Sequence, residues 1–121
     1  MKISEILNSK KVTISFEIFP PKKQEAFDSV KKTALSLSSL KPDFISITYG
    51  AGGSTQTNTS DLAQAVENSG TASLAHLTCV RSTKEQLLQT IQTLKQKNIN
   101  NVLALRGDLP KDTFEGENLF P

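Results

Sequence analysis

The sequence predicts an α/β chain of the (β/α)8 TIM-barrel type, holding about the first four strands with their helices and a short N-terminal helix. Three observations point there. Period-2 apolar segments alternate with segments of helical spacing along the whole chain. Strand–helix–strand order implies a parallel sheet with right-handed crossovers. A polar residue stands near the end of each strand, at Glu17, Thr48, His76 and Arg106, with gaps of 31, 28 and 30 residues. A unit of about 30 residues suits an eightfold barrel of about 250. The face bearing each of these residues is small or polar, and the opposite face is mainly Ile, Leu and Phe. Open doubly wound sheets share the alternation; the division of faces favours the barrel, whose mouth is polar.

The elements follow in order. Met1 to Asn8 reads as a short amphipathic helix with Ile3, Ile6 and Leu7 on one side. Val12 to Phe19 alternates strictly, with Val12, Ile14, Phe16 and Ile18 facing one way and Thr13, Ser15, Glu17 and Phe19 the other. That is a strand, and Pro20-Pro21 ends it because proline donates no ladder hydrogen bond. Gln24 to Leu40 carries a helical stripe of Phe27, Val30, Ala34, Leu37 and Leu40, stopped by Lys41-Pro42. Phe44 to Tyr49 is the second strand and runs into Gly50-Ala51-Gly52-Gly53-Ser54-Thr55. Glycines there let backbone N–H groups approach a ligand, or simply make a flexible turn. The helix from about Asn58 to Asn68 turns Leu62, Ala65 and Val66 inward, and Gly70 suits its left-handed C-terminal position. Ala72 to Val80 is the third strand. Ser82 and Glu85 fit a capping box for a helix to about Lys97, burying Leu87, Leu88, Ile91 and Leu94. Asn101 to Arg106 is the fourth strand; from Lys111 the chain reads as loop.

Composition narrows the class. The 121 residues are 36% hydrophobic and 21% charged, enough for one folded domain. A net charge of +2, with dispersed lysine pairs, argues against a nucleic-acid partner. No apolar run reaches membrane-spanning length, and Glu5 interrupts any signal-like N-terminus. The single cysteine, Cys79, excludes an internal disulfide framework and fits a reducing, cytoplasmic setting. One histidine and one cysteine with no helical ligand pair make no metal site.

In a parallel sheet the C-terminal strand ends form one rim, where such folds do chemistry. Glu17, Thr48, Tyr49, His76, Thr78, Arg106 and Asp108 then converge. Glu17 is a candidate general acid, its carboxyl pushed up if Phe16, Phe19 and the prolines enclose it; the alternative is an edge-strand glutamate facing water. Asp108 has the chemistry to hydrogen-bond a polar ring. Arg106 suits a ligand phosphate or an internal ion pair with Asp108 or Glu17. His76 is either a ligand contact or a hydrogen-bonded core histidine.

Four stretches carry a resemblance to the methylenetetrahydrofolate reductase family. They are Ser15-Phe16-Glu17-Ile18-Phe19-Pro20-Pro21-Lys22; Ser46-Ile47-Thr48-Tyr49-Gly50-Ala51-Gly52-Gly53-Ser54-Thr55; Ala75-His76-Leu77-Thr78-Cys79; and Leu103-Ala104-Leu105-Arg106-Gly107-Asp108-Leu109-Pro110. They stand in the family's order and span nearly the whole chain. The resemblance implies that residues 1–121 are the N-terminal part of one FAD-binding (β/α)8 catalytic domain. It implies a flavin reduced by NADH or NADPH, which passes a hydride to 5,10-methylenetetrahydrofolate to give 5-methyltetrahydrofolate for methionine synthesis. Glu17 would protonate the folate to open its five-membered ring to the iminium. Asp108 would sit by flavin and pterin as a catalytic and substrate-binding residue. Thr48, Tyr49, Ala51, His76, Arg106, Gly107 and Asp108 would contact the cofactor. A homo-oligomer is expected for the full-length enzyme. The family's catalytic barrel is complete, whereas this sequence supplies four strands, so a truncated part of the enzyme is expected. The alternative is a non-catalytic remnant that needs a complementary half.

Overall fold

The computed structural model describes residues 1–49, 53–80 and 82–107, without the side chains of 53–57. In chain order these form α1 (Ile3–Ser9), β1 (Ser15–Ile18), a 3-10 turn (Gln24–Ala26) that leads into α2 (Phe27–Ser38), β2 (Phe44–Ile47), α3 (Gly53–Asn68), β3 (Ala72–Thr78), α4 (Lys84–Gln96) and β4 (Val102–Leu105). The four strands lie in one sheet in the order β1-β2-β3-β4, every neighbouring pair parallel. A doubly wound sheet reverses its strand order at a switch point. Here the order runs on without reversal, as in the first half of a barrel.

Register fixes which side chains share a face, because residues paired across a sheet point the same way. Phe16, Ile45 and Ser73 form one row, and Ile18, Ile47, Ala75 and Val102 the next row on that face. The core gathers against it: Ile18, Ile45, Ile47 and Ala75 meet Ala34 of α2, Leu62, Ala63 and Val66 of α3, and Leu94 of α4. The helices therefore cover one face of the sheet. The other face carries Glu17 with Ser46 and Leu74, then His76 with Leu103, and Thr78 with Leu105. It is the concave side, and it is open among the described residues.

Side-chain hydrogen bonds tie the helices and the N-terminus to the strand entrances. Glu67 of α3 accepts from both the backbone N–H (2.9 Å) and the hydroxyl (3.0 Å) of Ser73 at the start of β3. Buried Asn101, just before β4, accepts from the Ile3 N–H at 2.9 Å and donates to the Met1 carbonyl at 3.0 Å. Asp43, just before β2, accepts from the Ile14 N–H at 2.8 Å and pairs with Lys10. Gly70 ends α3 at φ +95°, the left-handed conformation that glycine adopts without strain.

Several expectations need correcting. The first strand spans Ser15–Ile18, and Val12 and Ile14 are 73% and 61% exposed. They precede the ladder, and no described helix covers them. α3 begins at Gly53, five residues before Asn58. Polar Asn58, Thr59 and Ser60 read as a helix entrance but are buried inside the helix. Their polar groups find partners: Thr59 Oγ1 donates to the Thr48 carbonyl at 3.0 Å and Lys97 donates to Ser60 Oγ at 3.1 Å. Within that helix Ala63 is fully buried where Ala65 was expected. The capping box on α4 joins Thr83 and Gln86, one residue later than Ser82 and Glu85. Ser82 N–H is already spent in a turn to the Cys79 carbonyl at 3.2 Å. Of the expected α4 stripe only Leu94 is buried; Leu88 and Ile91 stay exposed, because their side of the helix meets no described element. Leu7 and Leu40 are exposed as well.

Candidate active site

Glu17 stands one residue before the end of β1 on the concave face, opposite Ser46 in register. The Ser46 hydroxyl donates to Glu17 Oε1 at 3.0 Å. His76 Nε2 lies 3.6 Å from the same oxygen. The imidazole is 12% exposed and the Glu17 side chain 49% exposed. One carboxylate, one hydroxyl and one imidazole from three successive strands thus meet at a single oxygen. Such a carboxylate can hold a proton, accept hydrogen bonds and pass a proton to a group arriving from the open side.

The expected apolar enclosure of Glu17 is absent among the described residues. Phe16 belongs to the helix-facing row with Ile45, and Phe19 is 69% exposed. Among the described residues no second layer lies over the concave face, and the carboxylate reaches solvent.

Thr48 follows β2 on the parity of Ser46. Its backbone N–H donates to the Ile18 carbonyl at 3.0 Å and its carbonyl accepts from Thr59, so the rim is pinned at this point. Tyr49 is half-buried next to it. Tyr49 and His76 border a cavity of about 120 Å³ that also reaches Thr59 and Lys97. Ligand pockets for drug-sized molecules run to about 300–1,000 Å³, so this cavity is too small for a dinucleotide.

Arg106 does not join the cluster as expected. The register puts Leu103 and Leu105 on the face of His76 and Thr78, and Arg106 falls one step out of phase, on the parity of Ala104. Its carbonyl accepts from the Val80 N–H at 2.8 Å and its Nε donates to the Gly107 carbonyl at 3.2 Å. The strand alternates, and the residue spacing that selected Arg106 took no account of phase. Gly107 has φ +90°, and a Cβ there would stand 2.9 Å from Val80 Cγ1 and 3.1 Å from Thr78 Cβ. Both conformation and space require glycine, whatever else this residue does. Ala51 and Asp108 lie outside the described residues, as does the start of the glycine-rich stretch. Ser46 is the contact that residue-by-residue reasoning passed over. Its signal was present, two positions before Thr48 on the same face, but serine in a strand attracts no attention until the neighbouring strand is placed.

Among the described residues no group of three or more His, Cys, Asp or Glu could hold a metal ion, and no helix is long and apolar enough to cross a membrane.

Comparison with known proteins gives a consistent picture. A family model described as methylenetetrahydrofolate reductase matches residues 2–118. A 5,10-methylenetetrahydrofolate reductase of Pectobacterium carotovorum is 36% identical over 103 residues, 84% of this chain and 35% of the relative. A probable methylenetetrahydrofolate reductase (NADH) of Oryza sativa is 38% identical over 110 residues, 90% of this chain and 18% of the relative. The Buchnera aphidicola 5,10-methylenetetrahydrofolate reductase is 38% identical over 113 residues, 92% of this chain and 38% of the relative. The chain thus spans between about a fifth and two fifths of these relatives' length.

Proposed function

The chain belongs to the methylenetetrahydrofolate reductase family, and from that premise we propose that it supplies the proton donor and part of the cofactor rim for flavin-dependent reduction of 5,10-methylenetetrahydrofolate. The observation that carries this is Glu17. What supports the reading is that Glu17 stands one residue before the end of β1, with Ser46 and His76 at its Oε1 on the open face.

When bound, FAD supplies the hydride that NADH or NADPH has delivered to it. The residues present suit such a group in kind: hydroxyls of Thr48 and Thr78, the Tyr49 phenol and the His76 imidazole stand at or near the ends of β2 and β3. Glu17 would donate its proton to an amine nitrogen of the folate's five-membered ring. The bond from that nitrogen to the bridging carbon breaks, the electron pair stays with the protonated nitrogen, and the iminium that results accepts hydride to become the methyl group. By family position Asp108 would lie near flavin and pterin, and Ala51, Arg106 and Gly107 would be flavin or nicotinamide contacts. The whole enzyme is expected to work as a cytoplasmic homo-oligomer.

One observation favours a second reading, a non-catalytic remnant that binds a complementary half. Among the described residues β4 is an edge strand with every residue exposed, and β1 forms the opposite edge. Unpaired edges are templates for another chain. An FAD titration of the 121-residue chain, followed by flavin absorbance and fluorescence, separates the two. Saturable binding favours the enzyme component. A folded chain that stays colourless favours the remnant. In the full-length enzyme, Glu17→Gln should abolish folate reduction and spare flavin reduction by the nicotinamide. Loss of both half-reactions would contradict the proton-donor role.

A further inference from the structure

We propose that Ser46 is a positioning residue that fixes which oxygen of Glu17 carries the proton. It commits Oε1 to the sheet and leaves Oε2 as the oxygen that delivers. This rests on Glu17 being the acid.

The geometry is asymmetric. Ser46 Oγ donates to Oε1 at 3.0 Å, and His76 Nε2 faces the same oxygen at 3.6 Å. Oε2 has no hydrogen-bond or ion-pair partner among the described residues, and the side chain is half exposed on the concave face. Ser46 is 6% exposed, and this is its one side-chain hydrogen bond there. A carboxyl group in its acid form has one hydroxyl-type and one carbonyl-type oxygen, and only the carbonyl-type oxygen is well suited to accept. A buried serine with one acceptor keeps donating to it, because a buried hydroxyl without a partner is costly. Oε1 is then the acceptor in both charge states, and the proton resides on Oε2. The half-exposed side chain leaves that oxygen within reach of a substrate nitrogen arriving from the open side. The same hydrogen bond limits rotation of the carboxyl about its terminal torsion, which is otherwise broad. Orientation of this kind is how a neighbouring residue contributes without touching the substrate.

The test needs neither flavin nor folate. In the 121-residue chain, with glutamates 13C-labelled at the side-chain carboxyl, the Glu17 signal is identified by its loss in Glu17→Gln. At pH 8, Ser46→Ala should displace that signal, and Ser46→Thr, which keeps the hydroxyl, should return it near the wild-type position. An unmoved signal in Ser46→Ala, or one displaced equally by both, would overturn the proposal. The Glu17→Gln chain gives an independent reading. Its carboxamide oxygen should take the place of Oε1, with the NH2 on the open side, exchanging freely with water. Nuclear Overhauser contacts from that NH2 to the Ser46 side chain would put the donor on the wrong oxygen and sink the idea. Failure here strikes the positioning role alone, whereas failure of the FAD titration strikes the functional reading.

Discussion

β2 and β4 are both four-residue strands, Phe-Ile-Ser-Ile and Val-Leu-Ala-Leu, and the more apolar of the two is the more exposed. Ile45 and Ile47 are fully buried and Ser46 nearly so, while Val102, Leu103 and Leu105 are 42%, 40% and 37% exposed. The difference is position. β2 has a strand on each side and α3 across its outer face. Among the described residues β4 has one neighbouring strand, and its far edge is open. Burial in this molecule follows from neighbours, and hydrophobicity only states what neighbours a strand wants. The polar residues before the two strands repeat the theme. Asp43 before β2 and Asn101 before β4 each reach back to grip the N-terminal segment.

The contrast can be broken or sharpened by substitution. The largest effect is expected at Ile47→Ala, which empties a fully enclosed site and should cost about 2–5 kcal/mol in urea denaturation. Leu103→Ala on β4 should cost about 1 kcal/mol, since much of that side chain already meets water. Equal losses would mean that β4 is covered in solution. Asn101→Ala should lie between them, at about 1–3 kcal/mol, because it leaves the buried Ile3 N–H without its acceptor. The Ile3 amide should then exchange faster, and unchanged exchange would show that the tether contributes nothing.

The smallest effect is electrostatic. Lys10 and the Ile14 N–H hold the Asp43 carboxyl below its ordinary range. A depressed value means that the folded chain favours the carboxylate. The stabilisation is present above the ordinary carboxylate titration and is lost as pH falls through the lowered folded value. Acidifying from pH 6 toward pH 2 should therefore narrow the stability gap between wild type and Asp43→Asn. Because the pair lies near the surface, salt should narrow it too. A gap independent of both would assign the effect to something other than charge.

The comparison also shows what was legible beforehand. Alternation placed the four strands, and helical spacing found α2, α3 and α4, because both periods come from backbone geometry alone. Element edges were less legible. Ser82 and Thr83 both satisfy the capping pattern, and only the turn onto the Cys79 carbonyl decides between them. At the site, Glu17 and His76 could be placed on one rim from strand parity. Arg106 could not, since its phase against His76 depends on the register of β3 with β4. The Ser46 contact needed the β1–β2 register, a property of two strands that neither contains.

The registers hold one more consequence. Ser15 is level with Phe44 and Ala72, but Val102 at the start of β4 is level with Ala75, and through Ile47 with Ile18. β1, β2 and β3 thus start level, and β4 starts three residues further along. About one residue per junction is the pitch that closes eight strands with a shear of about 8. A plane cut across such a barrel therefore rises two residues between β1 and β3. It passes from Glu17 not to Leu74, its level mate, but to His76, two residues further on. The carboxylate and the imidazole belong to one transverse layer, of the kind that alternate strands fill with four side chains. In a closed barrel the fifth and seventh strands furnish the other two, across the layer from Glu17 and His76.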